Sequence, residues 1–136
     1  MTEIPESFHE MLTEQPTYAT LTTMLPDGLP HNTVVWIDYD ADADRVLINT
    51  ERGRQKERNV RDDPRAGVLA PEPDSWFRWL SVSGEVDEVT TEGAREHIDT
   101  LARRYTGAST YRRPIETERV ILKLAPEHVM TFDPDR

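Results

Sequence analysis

Cysteine is absent from this 136-residue chain, which excludes disulfides, zinc–thiolate sites and a cysteine nucleophile. Lysine is nearly absent: only Lys56 and Lys123 occur, so arginine supplies the other fourteen basic residues. No apolar run approaches the roughly 18 residues of a membrane-spanning helix. The N-terminus carries no basic-then-apolar signal pattern. These absences read as a soluble, cytoplasmic protein without a membrane partner. Long helical periods are missing too, because ten prolines and many short β-branched runs interrupt them. A helical bundle is therefore not expected.

What the chain has in excess is acid, with 26 Asp and Glu against 16 Lys and Arg and a net charge of −10. Such a surface repels phosphate backbones, so nucleic acid is not an expected partner. An acid-rich, lysine-poor composition resembles that of halophilic proteins. Stability should then rise between low and molar salt, and a melting curve that ignores salt would contradict this. The length suits one domain, expected over residues 1–136, which buries about two-thirds of its unfolded surface. No linker, repeat or low-complexity tract divides it.

Periodicity predicts a short helix over residues 5–15, opened by Pro5 and stopped by Pro16. A strand over residues 17–24 runs into the turn Leu25-Pro26-Asp27-Gly28. The next strand, residues 31–39, is apolar on both faces and is expected to be central in its sheet. A hairpin turn at 40–44 leads to a strand over 45–50, and a surface helix is expected over 51–62. A strand over 65–70 and the loop 71–74 precede a long strand over 76–89, in which Gly84 marks a bend or bulge. Thr91 is expected to cap a helix over 92–105 whose apolar stripe is Ala94, Ile98, Leu101 and Ala102, with Gly107 just past its end. Two strands, 120–124 and 129–132, close the chain around Ala125-Pro126. The pattern is mainly β: an antiparallel barrel decorated by short helices.

The segment from Leu47 to Lys56 concentrates hydrogen-bond donors. A strand enters a polar turn at Gly53, and a helix opens with Arg54, Gln55 and Lys56. Unpaired N–H groups and the helix dipole favour an anion at such a start, and cationic side chains add charge-assisted bonds. Lysine scarcity singles out Lys56 as a point charge for a phosphate. Spacing alone leaves a second reading open, a solvated helix face with Glu51, Glu57 and Arg58 in local pairs. The four histidines, His9, His31, His97 and His128, are scattered, so no metal site is expected, and His31 reads as structural. Trp76, Phe77 and Trp79 lie too close together for a small barrel to bury them all, which suggests a homodimer.

From residue 18 to about residue 89 the chain resembles the pyridoxamine 5′-phosphate oxidase-like, FMN-binding split-barrel superfamily. The likeness is carried by Ala19-Thr20-Leu21, Leu25-Pro26-Asp27-Gly28-Leu29-Pro30-His31, Thr33-Val34-Val35-Trp36 and Arg45-Val46-Leu47-Ile48-Asn49-Thr50. It continues through Gly53-Arg54-Gln55-Lys56, Arg58-Asn59, Asp63-Pro64-Arg65-Ala66 and Val82-Ser83-Gly84-Glu85-Val86. The order and spacing together are what is specific, and they are most similar to the branch that uses the deazaflavin coenzyme F-420. The resemblance implies a split β-barrel in which Val34, Val35 and Trp36 line the cofactor ring. Asn49 and Thr50 would bond the ring edge or ribityl chain, and Arg54, Gln55 and Lys56 would hold the phosphate. Trp79 would come from the second subunit to close the site.

The implied activity is hydride transfer between F-420 or FMN and a small organic substrate, with no protein acid, base or nucleophile required. FMN ends at its phosphate, whereas F-420 continues into a polyanionic tail. Arg52, Arg54, Arg58, Arg112 and Arg113 are basic residues suited to such a tail, which favours F-420. Tyr111, Arg112 and Arg113 have no motif to anchor them and read first as a solvated loop. Pyridoxamine phosphate oxidation itself is not expected, since the substrate-binding C-terminal segment of that enzyme has no match here. The alternative function is a non-catalytic barrel that binds a flavin, deazaflavin or haem.

Overall fold

The computed structural model describes residues 2–135; Met1 and Arg136, the ends of the expected 1–136 domain, lie outside the described residues. Seven antiparallel strands form one curled sheet in the order β2-β1-β5-β6-β7-β4-β3. They are β1 (Tyr18–Met24), β2 (Pro30–Trp36), β3 (Asp38–Asp40), β4 (Arg45–Glu51), β5 (Arg65–Glu72), β6 (Ser75–Thr90) and β7 (Arg119–Phe132). A 3-10 turn (Glu6–Phe8) leads into α1 (His9–Thr13), while α2 (Gln55–Asp62) and α3 (Ala94–Thr106) sit between strands. Strand alternation sets the core, as in β1, where Ala19, Leu21 and Thr23 are buried and Tyr18, Thr20 and Thr22 face outward. Phe8, Met11 and Leu12 of the N-terminal helical turns join the same core as Leu21, Ile48, Leu80 and Leu122.

The expected central strand over 31–39 is instead two edge strands. β2 pairs only with β1, and β3 pairs only with β4. The chain changes partners at Ile37, which is fully buried and belongs to neither ladder. Its backbone is satisfied from α3 instead: the Ile37 N–H donates to Tyr105 Oη at 2.9 Å, and its carbonyl accepts from Arg104 at 3.0 Å. Burial pushes the Tyr105 phenol up to about 12, so it stays protonated and donates to the Thr17 carbonyl. The apolar residues on the second face of β2 are explained by what lies beside them, not by a covering sheet. Trp36 stacks on Tyr105 at 4.9 Å and meets Tyr111 edge-on at 6.3 Å.

Because β2 and β3 are the two ends of the sheet order and β3 covers only the first residues of β4, the sheet opens between β2 and the C-terminal end of β4. This is the split of the barrel. β6 spans the opposite wall, pairing with both β5 and β7 and bulging at Ser83/Gly84 and again at Val86/Glu88. Gly84 sits at the first bulge as expected, and a β-carbon there would overlap the Ala125 carbonyl oxygen. The two closing strands expected around Ala125-Pro126 are one continuous strand, β7. Pro126 is tolerated because it lies opposite Gly84 and beyond the last β4 pair, Val46–Leu124, so only one edge of β7 is paired there.

Two helix starts also differ from expectation. α2 begins at Gln55, because residues 51–53 finish β4 and turn through Gly53 at a φ of 96°. α3 is not capped by Thr91. Gly93, at a φ of 72°, holds the cap position, while the Thr91 carbonyl accepts from Ala94 N–H at 3.1 Å. The predicted stripe of α3 is buried, and Gly107 ends the helix at a φ of 78°. No helix among the described residues is long and apolar enough to cross a membrane.

Candidate functional site

A cleft of about 290 Å³ opens at the split. β2 contributes Val34, Val35 and Trp36, β4 contributes Asn49 and Thr50, and the turn into α2 contributes Arg54 and Lys56. Seven of the nine expected site residues are thus brought together. Gln55 and Trp79 are not among them. The Gln55 amide lies along α2, donating to Asn59 Oδ1 at 2.7 Å and accepting from Arg58. Trp79 lies on the outer face of the sheet, beside Leu69, Trp76 and Met130.

The turn is built to aim its side chains. Glu57, in the first turn of α2, is fully buried and accepts the Gly53 N–H at 2.8 Å. Arg61 closes on the same carboxylate at 2.7 Å, and Arg52 stands 4.0 Å away. A buried charge is tolerable only when paired and hydrogen-bonded in this way. With Gly53 fixed, Arg54 takes an extended backbone before the helix, and Arg54 and Lys56 are presented to the cleft. On the other side of α2, Asn59 donates to Thr23 Oγ1 at 3.0 Å and pins the helix to β1.

Five cleft residues lie outside the expected nine: Glu51, Ile98, Tyr111, Arg113 and Arg119, of which the sequence suggested only Arg113, as one of several arginines suited to an anionic tail. The segment read as a solvated loop supplies two of these. It is tied down at both ends: Asp99 accepts the Tyr111 N–H at 2.8 Å, Glu51 accepts the Glu116 N–H at 3.2 Å and Thr117 donates to the Arg52 carbonyl at 2.7 Å. Arg112 remains exposed outside the cleft. Arg119 opens β7, and its guanidinium lies 4.9 Å over the Tyr111 ring. The only signal for Arg119 was a basic residue before an apolar run, which is too common to single out.

Four cationic side chains, Arg54, Lys56, Arg113 and Arg119, therefore face one carboxylate, Glu51, in a chain of net charge −10. Among the described residues, no ion pair or side-chain hydrogen bond engages Arg54, Lys56 or Arg113, and Arg119 is engaged by the uncharged side chains of Asn49 and Tyr111. Burial lowers the Lys56 ammonium below its ordinary value, and the charges of Arg54 and Arg119 lower it further. Burial also lowers the Arg119 guanidinium, partly offset by Tyr111 and Glu51. Each of these groups is held where an anion would relieve it.

Beneath the cleft, Asp38 accepts from His97 at 2.9 Å and from Arg104 at 3.0 Å. Burial alone would raise the Asp38 carboxyl, but those two partners hold it below 3.8. The stability it contributes is complete above its unfolded value of 3.8 and is lost as pH falls through the lower folded value. An Asp38→Asn variant should therefore show a shallower acid unfolding transition than the parent by circular dichroism. Superimposable acid transitions would remove Asp38 from the stability of the fold. No cluster of three or more potential metal ligands occurs among the described residues.

A curled antiparallel sheet, split between β2 and β4 with a cleft lined by cationic side chains at the opening, defines a split β-barrel. The chain belongs to the pyridoxamine 5′-phosphate oxidase family, whose sequence profile matches residues 4–133. It is similar in structure to an F420 reductase, with a TM-score of 0.79, 29% identity and coverage of 93% of this chain and 98% of the other. A conserved hypothetical protein from Mycobacterium tuberculosis shares the fold at a TM-score of 0.70 and 23% identity, covering 96% of this chain and 85% of that one. HupZ of Group A Streptococcus does so at 0.66 and 17%, covering 94% and 93%.

Proposed function

We propose that the cleft holds the phosphate and ring of a deazaflavin or flavin, with coenzyme F-420 favoured over FMN, in an oxidoreductase acting on a small organic molecule. The observation that carries this reading is the set of cations without carboxylate partners in an otherwise acidic protein. Their chemistry fits a phosphate: backbone N–H groups at the start of α2, a point charge at Lys56, and guanidinium groups at Arg54 and Arg119. Val34, Val35, Trp36 and Ile98 give the apolar lining that a planar ring needs. Arg113, further round the same cleft, suits an anionic tail beyond the phosphate and favours F-420. The ring system, when bound, supplies the hydride chemistry. The protein's part is to bind, orient and exclude water, so no side-chain acid or base is required.

The same reading includes a homodimer. A cleft of about 290 Å³ is at the lower end of the roughly 300–1,000 Å³ usual for ligand sites, as a half-built site would be. Cross-strand register places Val34, Thr20, Leu69, Ser81 and Met130 in one row, running from the cleft across the outer sheet face. That face exposes Trp76 (68%) and Met130 (63%), too much apolar surface to leave in water. A second copy seated there abuts the cleft and brings Trp79 to it. Combined Trp76→Ser and Met130→Ser substitution should yield a monomer of reduced cofactor affinity by sedimentation and titration. A monomeric parent protein would refute the pairing.

Titration of the purified protein with F-420 and FMN, followed by turnover assays, tests the function. The expected result is micromolar or tighter binding, with reduced cofactor reoxidised only when an organic acceptor is added. Tight binding of FMN with none of F-420 would reverse the cofactor preference. Binding without turnover by any acceptor would indicate a carrier.

A further inference from the structure

Arg119 is held in the cleft by a chain of hydrogen bonds that ends at a titratable group. Its Nε–H donates to Asn49 Oδ1 at 2.8 Å. The Asn49 amide nitrogen donates to the Ala94 carbonyl at 2.9 Å and faces His97 Nδ1 at 3.1 Å. A carbonyl can only accept and a guanidinium N–H can only donate, so these two partners fix which end of the Asn49 amide points where. His97 Nδ1 must then accept, and the ring proton sits on Nε2, which donates to Asp38 Oδ2 at 2.9 Å. Every other contact in the chain is a fixed donor or acceptor. Asp38 is held in its charged form by His97 and Arg104, so His97 is the member that can change.

We infer that His97 is a positioning residue acting through Asn49: neutral His97 holds Arg119 on a bound anion, and protonated His97 releases it. Protonation places an N–H on Nδ1, against the Asn49 amide nitrogen. If the amide stays, two donors meet. If it turns over, its oxygen meets the Ala94 carbonyl and its nitrogen meets the Arg119 Nε–H. Either arrangement breaks the support beneath Arg119. Expulsion into water is not an easy escape, since the His97, Asp38 and Arg104 side chains are only 12%, 15% and 12% exposed.

The charged groups facing His97 come from three elements. Asp38 on β3 favours the imidazolium, Arg104 on α3 shares that carboxylate and opposes it, and Arg119 on β7 opposes it through Asn49. Asn49, expected from the resemblance to bond the cofactor, lines the cleft and takes part in this chain as well.

This inference rests on the reading of the cleft as an anion site, and the sign of one measurement separates the two. Sulfate keeps its double charge from pH 8 to pH 5, so its binding reports the protein alone. Ordinary electrostatics predicts tighter sulfate binding as the protein gains protons. The His97 chain predicts at least fivefold weaker binding at pH 5, read from NMR titration of the Arg119 Nε–H and Trp36 indole resonances. In the sulfate-free protein, the Asn49 side-chain amide signals should shift at the same midpoint as the His97 ring. His97→Gln, which cannot titrate, should lose the weakening. Sulfate bound equally or more tightly at pH 5 overturns this inference alone, as do Asn49 signals that ignore the His97 midpoint. Absence of sulfate binding at pH 8 overturns the anion-site reading and this one with it.

Discussion

Lys56→Ala should weaken binding of F-420 or FMN at least tenfold while leaving the cofactor-free protein as stable as the parent, or more so. The two effects have opposite signs because the ammonium is poorly placed until an anion arrives. Burial lowers its proton affinity, and Arg54 and Arg119 lower it further. A hydrogen bond to a charged group contributes about 1.5–3 kcal/mol, and about 1.4 kcal/mol is tenfold in affinity. A double Arg54→Ala, Lys56→Ala variant should lose about a hundredfold if the two act independently. Calorimetric titration and thermal unfolding check both halves of the expectation. Unchanged affinity would remove Lys56 from the site. A large fall in melting temperature would make it a structural residue, contrary to its lack of a partner. Such a site resembles other functional positions in trading stability for binding.

Gly84→Ala should sharply destabilise the fold. Gly84 lies at a bulge where β6 meets β7, and the added carbon would fall within the Ala125 carbonyl. The obstacle is backbone in the middle of the longest strand pair, so no side-chain rotation relieves it. Overpacking of this kind costs about 3 kcal/mol, which for a chain of this length corresponds to a melting temperature lower by about 10 °C. Gly67→Ala is the matched control: its nearest neighbour would be the Val82 carbonyl oxygen at 3.5 Å, an ordinary contact. Similar unfolding temperatures for the two variants would show that β6 and β7 can separate locally at little cost.

Much of this arrangement was legible in the sequence, and the omissions have physical causes. Alternation placed β1, β4 and β6 nearly to the residue, and Gly84 and Gly107 marked a bulge and a helix end because their backbones demanded it. The β2 strand was misplaced to the centre because apolar residues on two faces signal burial without saying what buries them. Here the second face lies against the cleft and two tyrosines. Thr91 was taken as a cap because its side chain suits the task, but the chain needs two more residues to leave β6. Within the site, local sequence revealed what a single turn assembles, Gly53 to Lys56. Arg119, Arg113 and Tyr111 lie more than fifty residues downstream and meet that turn only through strand pairing and the docking of residues 116–118. Glu57 looked like an exposed helix partner, whereas it is the buried post to which the Gly53 turn is fastened.

The change of partners at Ile37 bears on how an open sheet survives in a crowded solution. Any unclosed sheet has two rims of unpaired backbone, each a template on which another chain can polymerise. In this protein the two outermost strands, β2 and β3, both belong to one short stretch, residues 30–40. That stretch is punctuated against misassembly: Pro30 opens it without an N–H to offer, and Asp40 sets a charge at its far end. The excess of carboxylates over the whole surface adds repulsion between identical molecules. The cleft at the split can therefore stay open to solvent without its edge becoming a seed for fibrils.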